Sequence, residues 1–95
     1  MPRIRWTAPA ARDFTQLCDY VQEHDGPARA RRVALVIYDS VDSLRQFPNR
    51  GRPGRKAGTR ELVITNSPYL AIYRVRGDVI EIARILHGAQ KWMGS

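Results

Sequence analysis

His87 ends an apolar run. It closes VIEIARILH, Val79 to His87, and Gly88, Lys91 and Trp92 follow within five positions. An imidazole titrates near neutral pH and therefore suits proton transfer. As an acid or base on a phosphodiester it would need a neighbour that orients it and cations that hold the charge of the transition state. Lys91 is close in sequence. The segment FPNRGRPGRKAGTREL adds Arg50, Arg52, Arg55, Lys56 and Arg60, with no acid before Glu61. That segment is no phosphate-cradling P-loop, because the GxxxxGK[ST] spacing is missing. It reads equally as a solvated connector and as an anion-facing loop. His87 itself fits proton transfer, a protein-binding surface and a plain strand end.

The remaining candidates are weaker. Cys18 is the one cysteine of the chain, so no intrachain disulfide forms, and it shares a helix face with Phe14, Leu17 and Val21, which reads as core. His24 lies in the breaker HDGP and carries no functional reading.

The elements that position these residues belong to one small domain. The chain has 95 residues, 43% hydrophobic and 26% charged, which describes a folded protein with room for one core. Its net charge of +7 calls for an acidic partner without choosing among nucleic acid, acidic peptide and anionic membrane. MPRIRW has no signal-like apolar stretch, and no run approaches membrane-spanning length. A cytoplasmic protein with no membrane association is expected, and no metal or cofactor.

RIRW, Arg3 to Trp6, reads as a strand, and Thr7 with Pro9 as the start of a helix reaching about Glu23. Gly26 stops that helix and Pro27 opens a second, expected to run to Gln46 with Ala30, Val33, Ile37, Val41 and Leu44 inward. Arg29, Arg31 and Arg32 near its start read as a solvated face. Beyond the basic segment, RELVI, YLAIYRV and VIEIARILH read as an antiparallel meander with turns at Asn66-Ser67 and Gly77-Asp78. The predicted class is α+β: an N-terminal strand and a helical hairpin packed on the meander, over residues 1–95 as a single domain.

The Gly77-Asp78 turn sets a register. Pairing Arg76 with Val79 places Arg74 opposite Glu81, Ile72 opposite Ala83 and Leu70 opposite Ile85. One face then holds Val63, Leu70, Ile72, Ala83, Ile85 and His87. The other holds Leu62, Ile64, Tyr69, Ala71, Tyr73, Val75, Ile80, Ile82 and Leu86, with Arg60 and Arg84, and should meet the helices. A single helical layer covers one face, so the first is predicted to be an open apolar binding surface.

The order of elements, with RWTAPAARD at Arg5 to Asp13, GRPGR at Gly51 to Arg55, GTREL at Gly58 to Leu62, PYLAIYRV at Pro68 to Val75 and EIARILHGAQKW at Glu81 to Trp92, resembles the RelE/ParE superfamily of type II toxin-antitoxin toxins. The resemblance spans nearly the whole chain. It implies a growth-inhibiting toxin neutralised by a cognate acidic antitoxin that folds over it. The antitoxin is expected on Val63, Leu70, Ile72 and Ile85, with its carboxylates on Arg52 and Arg55. The target is expected to meet His87, Lys91 and Trp92.

The superfamily divides by target. RelE-like members cleave mRNA on the ribosome, and by resemblance a ribonuclease here would use His87 with Lys56, Arg55 and Arg60. ParE-like members poison DNA gyrase without such chemistry. Some ribonuclease members keep their catalytic histidine at the position of His87, and ParE-like chains commonly read RVLH there, so His87 does not choose. Leu70 does: many RelE-like ribonucleases align an arginine here, and some align a tyrosine where this chain has Gly88. The ParE-like reading is therefore preferred. Arg84 and Arg60 are expected to pair with helix carboxylates such as Asp13 or Asp39. A simple nucleic-acid module would need exposed stacking aromatics, which here fall mostly at core positions.

Overall fold

The computed structural model describes residues 1–88. β1 (Arg3–Trp6) leads into α1 (Ala8–Asp25) and α2 (Pro27–Asp42), with a short 3-10 turn at Ser43–Arg45. Then follow β2 (Arg52–Pro53), β3 (Arg60–Val63), β4 (Tyr69–Arg76) and β5 (Val79–His87). The strands form one sheet in the order β1-β5-β4-β3-β2. β1 runs parallel to β5, and the other pairings are antiparallel. The helical hairpin is thus the crossover that carries the chain from β1 back over the sheet.

Local chemistry sets the helix ends. The Thr7 hydroxyl accepts from Ala10 N at 3.2 Å as the α1 cap and also lies 2.9 Å from Ile82 O, so the helix start is tied to β5. Gly26, at φ +90°, ends α1 and starts α2, with Pro27 in the first turn of the second helix. α2 stops at Asp42, short of the expected Gln46, because the chain tightens into the 3-10 turn that seats Leu44 in the core. Leu17, Ile37, Val41 and Leu44 pack with Leu62, Ile64, Tyr73, Ile80 and Ile82, and Phe14 and Val33 pack against this cluster from its edge.

Two expectations about the sheet are corrected. First, the basic segment is not wholly loop. Arg52 and Pro53 pair with Glu61 and Arg60 as an edge strand, a position that tolerates the missing proline N–H.

Second, the β4–β5 ladder follows the expected register from Arg76–Val79 through Arg74–Glu81 to Tyr73–Ile82, and then slips at a bulge. Ala83 is skipped, so Ile72 faces Arg84, Leu70 faces Leu86 and Tyr69 faces His87. A slip of one residue exchanges the faces of all that follows. Ile85 and His87 move to the helix side, where Ile85 joins the core. Leu86 and Arg84 move to the far side. The cause is that β1 has ended. Past Trp6, Thr7 serves the Ile82 and Ala83 carbonyls, and Asp13 accepts the Ile85 N–H at 3.0 Å, so β5 bends toward α1 rather than continuing flat. The far face is also less open than expected. Ile72 and Leu86 are only 1% and 4% exposed, and among the described residues Val63 is the one strongly exposed apolar residue there, at 55%.

Candidate functional site

The residues singled out by sequence divide between two ends of the sheet. His87 stands at the open end of β5 beside Tyr69, their rings edge to face with centroids 5.8 Å apart. Both border a groove of about 630 Å³ that α1 and the β3–β4 turn enclose. Its walls bring Asp13, Gln16, Tyr20 and Asp25 of α1 and Arg29 of α2 around the same space. The groove is amphipathic, with carboxylates, one arginine and two tyrosines. Burial pushes the Tyr69 hydroxyl up from its ordinary range, with Cys18 and Tyr20 acting the same way and Arg29 opposing, so Tyr69 stays a neutral donor at physiological pH.

Next to it, along the edge of β5 that β1 leaves past Trp6, lies a cleft of about 640 Å³ bordered by Arg12, Asp13, Arg74 and Arg84. Asp13 organises this edge. Its carboxylate accepts two hydrogen bonds from Arg84, at 2.6 and 3.0 Å, in addition to the Ile85 N–H. The Asp13–Arg84 pair anticipated from sequence is therefore present. Arg60 does not pair with Asp39; its guanidinium donates to Gly51 O at 2.8 Å and Asn49 O at 3.4 Å.

The basic segment is a constructed loop. Tyr73 reaches out of the core and donates its hydroxyl to Pro48 O at 2.7 Å, while accepting from Gly51 N at 2.8 Å. Gly51 sits so close that a Cβ there would lie 2.7 Å from the Tyr73 ring. Arg52 pairs with Glu61 at 3.1 Å across the β2–β3 ladder. The hairpin tip holding Arg55 and Lys56 closes through Gly54 N to Thr59 O at 2.8 Å and Thr59 Oγ1 to Lys56 O at 2.6 Å. Sequence reasoning missed the Tyr73 hydroxyl, since its partners lie 22 and 25 positions upstream and nothing local signals them.

These placements separate the proposed ribonuclease set. Gly58 of the hairpin tip borders a small hollow with Arg74, Val75 and Arg76 at the C-terminal end of β4, whereas His87 faces Tyr69 at its N-terminal end. Seven strand steps of about 3.3 Å put these ends roughly 23 Å apart. Arg55 and Lys56 thus belong to the opposite end of the sheet from His87. Val63 and Leu70 are neighbours across the β3–β4 ladder, and Arg52 is on the adjoining edge. Lys91 and Trp92 lie outside the described residues. Among the described residues no group of three His, Cys, Asp or Glu side chains could hold a metal ion, and no helix is long and apolar enough to cross a membrane.

A two-helix crossover on a mixed sheet, with a tyrosine-anchored basic loop at one end and a strand-end histidine at the other, defines a RelE/ParE-type toxin domain. The profile of the ParE toxins of type II toxin-antitoxin parDE systems matches residues 4–92, and the chain belongs to that family. It is 44% identical to the Sinorhizobium fredii protein Y4kP over 95% of this chain and 92% of that one. It is 38% identical to Toxin RelE2 of Caulobacter vibrioides over 95% and 99% of the two chains. Among solved structures it is similar to a chain of the chromosomal ParDE system of P. aeruginosa, with a TM-score of 0.85 and 34% identity, covering 92% and 96% of the two. A chain of the RelBE2 toxin-antitoxin complex of Mycobacterium tuberculosis, at 23% identity and a TM-score of 0.66, shares the fold.

Proposed function

We propose that this type II toxin stops growth by binding DNA gyrase in the cytoplasm and does not cut mRNA. The observation that supports this most is the separation of His87 from Arg55 and Lys56 along β4, joined by the loss of Arg60 to backbone carbonyls. Acid–base cleavage needs the imidazole and the charge-holding cations around one phosphate. Leu70 deepens the difficulty, since the position aligned with a ribonuclease arginine is apolar and faces away from His87. Purified protein is expected to impair gyrase supercoiling, and His87→Ala to keep toxicity within about 3-fold, because most interface side chains outside a few tryptophan, tyrosine and arginine anchors cost under about 1 kcal/mol when truncated. Losing a true acid–base group would instead remove about 10²–10⁴-fold of a cleavage rate. Ribosome-dependent mRNA cleavage that disappears in His87→Ala would overturn the reading.

The antitoxin is proposed to engage Val63 and Leu70 and to place carboxylates on the loop of Arg52 and Arg55, in line with the net charge of +7. Ile72 and Ile85 drop out of this surface because both are buried, Ile85 among the helices. Leu70→Glu is expected to weaken antitoxin binding by about 1.5–3 kcal/mol, roughly 10–100-fold, since it places a charge without a partner in the contact. Titration calorimetry against the antitoxin checks it, with the melting curve of the isolated variant confirming the fold.

A further inference from the structure

α2 carries a second stripe, turned away from the core. Its inward residues Ala30, Ile37 and Val41 are buried, whereas Leu35 and Tyr38 are 55% and 54% exposed. Arg31, Leu35, Tyr38 and Asp42 follow one another at steps of four, three and four, the spacing of a two-helix seam. The seam has a cation at its N-terminal end and a carboxylate at its C-terminal end. Arg32 and Asp39 beside it repeat that polarity.

Such a seam is complementary to itself when reversed. With a two-fold axis crossing α2 between residues 36 and 37, each position meets the one equally far beyond the axis. Leu35 then meets Tyr38 of the partner subunit, and Arg31 meets Asp42 of the partner subunit. Asp42 holds Arg45 through one carboxylate oxygen at 2.8 Å, which leaves the other for the incoming arginine. A parallel arrangement would set Arg31 against itself. An acidic peptide would match the Arg31 end and be repelled at Asp39 and Asp42.

We infer that the outer face of α2 is a homodimer interface, in which two copies of the chain pair their second helices antiparallel through Leu35 and Tyr38. The inference is independent of the target. A helix of 16 residues is about 24 Å long, so this contact is smaller than the roughly 800 Å² per partner of a standard interface, and the dimer is weak.

The test is sedimentation equilibrium of the purified full chain from about 10 μM to about 1 mM, a range that reports dissociation constants of that order. A monomer–dimer equilibrium is expected. Arg31→Asp alone and Asp42→Arg alone should be monomeric, because each places like charges across the seam twice. Mixing these two variants should restore a dimer, since every facing pair is then of opposite sign, and the Arg31→Asp/Asp42→Arg double variant should dimerise as the parent does. Both positions are exposed, and circular dichroism of each variant confirms folding. A monomer at every concentration would overturn the inference, as would a dimer indifferent to the single reversals. Protection of the α2 stripe from hydrogen exchange in the antitoxin complex alone would also overturn it and assign the face to the antitoxin.

Discussion

Tyr73→Ala is expected to destabilise the fold by about 3–5 kcal/mol, the range for removing a buried aromatic side chain. The side chain is 0% exposed and packs among the core residues of both layers. Tyr73→Phe separates the ring from the hydroxyl. It leaves the core filled but strands the Gly51 N–H and Pro48 carbonyl, so about 1–3 kcal/mol should be lost, a drop in Tm of roughly 5–15 °C for a domain of this size. The basic loop should loosen with it, because Gly51 directly precedes Arg52. Antitoxin affinity should therefore fall in Tyr73→Phe although the substitution lies beneath the surface. Alkaline pH offers a second check. Burial pushes the Tyr73 hydroxyl above its ordinary value of 10.0, with the Gly51 N–H and Arg60 acting the other way. A group whose folded pKa is raised stabilises fully below its unfolded pKa, here about 10, and that stability is lost as pH climbs through the folded value. Tyr73→Phe should flatten the alkaline loss seen in chemical denaturation, leaving the parts that Tyr69 and Cys18 contribute, whose hydroxyl and thiol burial shifts in the same direction. An unchanged Tm in Tyr73→Phe would show that the loop does not hang on this hydroxyl.

How much of this was legible in the sequence depended on how local its cause is. β1 and β5 were read to the residue, because the alternating RIRW closed by Thr7 and the β-branched run opened by Gly77-Asp78 need no distant information. The Gly77 turn, at φ +59°, carried the ladder correctly as far as Tyr73–Ile82. The bulge at Ala83 then escaped, because its cause is the hydroxyl of Thr7 and the carboxylate of Asp13, which meets Ile85 from 72 positions away. From that one residue followed the misplacing of Arg84, Ile85, Leu86 and His87. β2 was hidden by Pro53, which reads as a breaker until a sheet edge is available to receive it. At the candidate site, the types of His87, Arg55 and Lys56 were plain, but whether they converge depends on strand direction and register. β3 and β5 both run antiparallel to β4, so the loop before β3 and the histidine that ends β5 lie at opposite ends of β4.

Asp13→Ala should have the next largest effect, about 2–4 kcal/mol. Three donors lose their acceptor at once: two from Arg84 and the Ile85 N–H. Removing one partner of a largely desolvated pair costs more than the pair contributes, because the other charge is left without compensation. The Arg84 side chain is 36% exposed, and water recovers part of that loss, which keeps the expected value below the full cost of a buried charge. The same carboxylate holds the Arg84 guanidinium pKa above its ordinary value chiefly by hydrogen bonding, so the charge to be re-solvated stays on at any working pH. Asp13→Asn should lose less, since an amide oxygen still accepts the Ile85 N–H. The sharper readout is register. If Asp13 sustains the bulge, its loss should favour the uninterrupted ladder, in which Ile72 faces Ala83 and Leu70 faces Ile85. Cross-strand contacts measured by NMR distinguish that ladder from the native pairing of Ile72 with Arg84 and Leu70 with Leu86. A slip would also turn His87 out of the groove it shares with Tyr20 and Tyr69, while leaving Val63 and the basic loop in place. Native contacts retained in Asp13→Ala, together with a stability loss under about 0.5 kcal/mol, would mean that Thr7 alone supports the bulge.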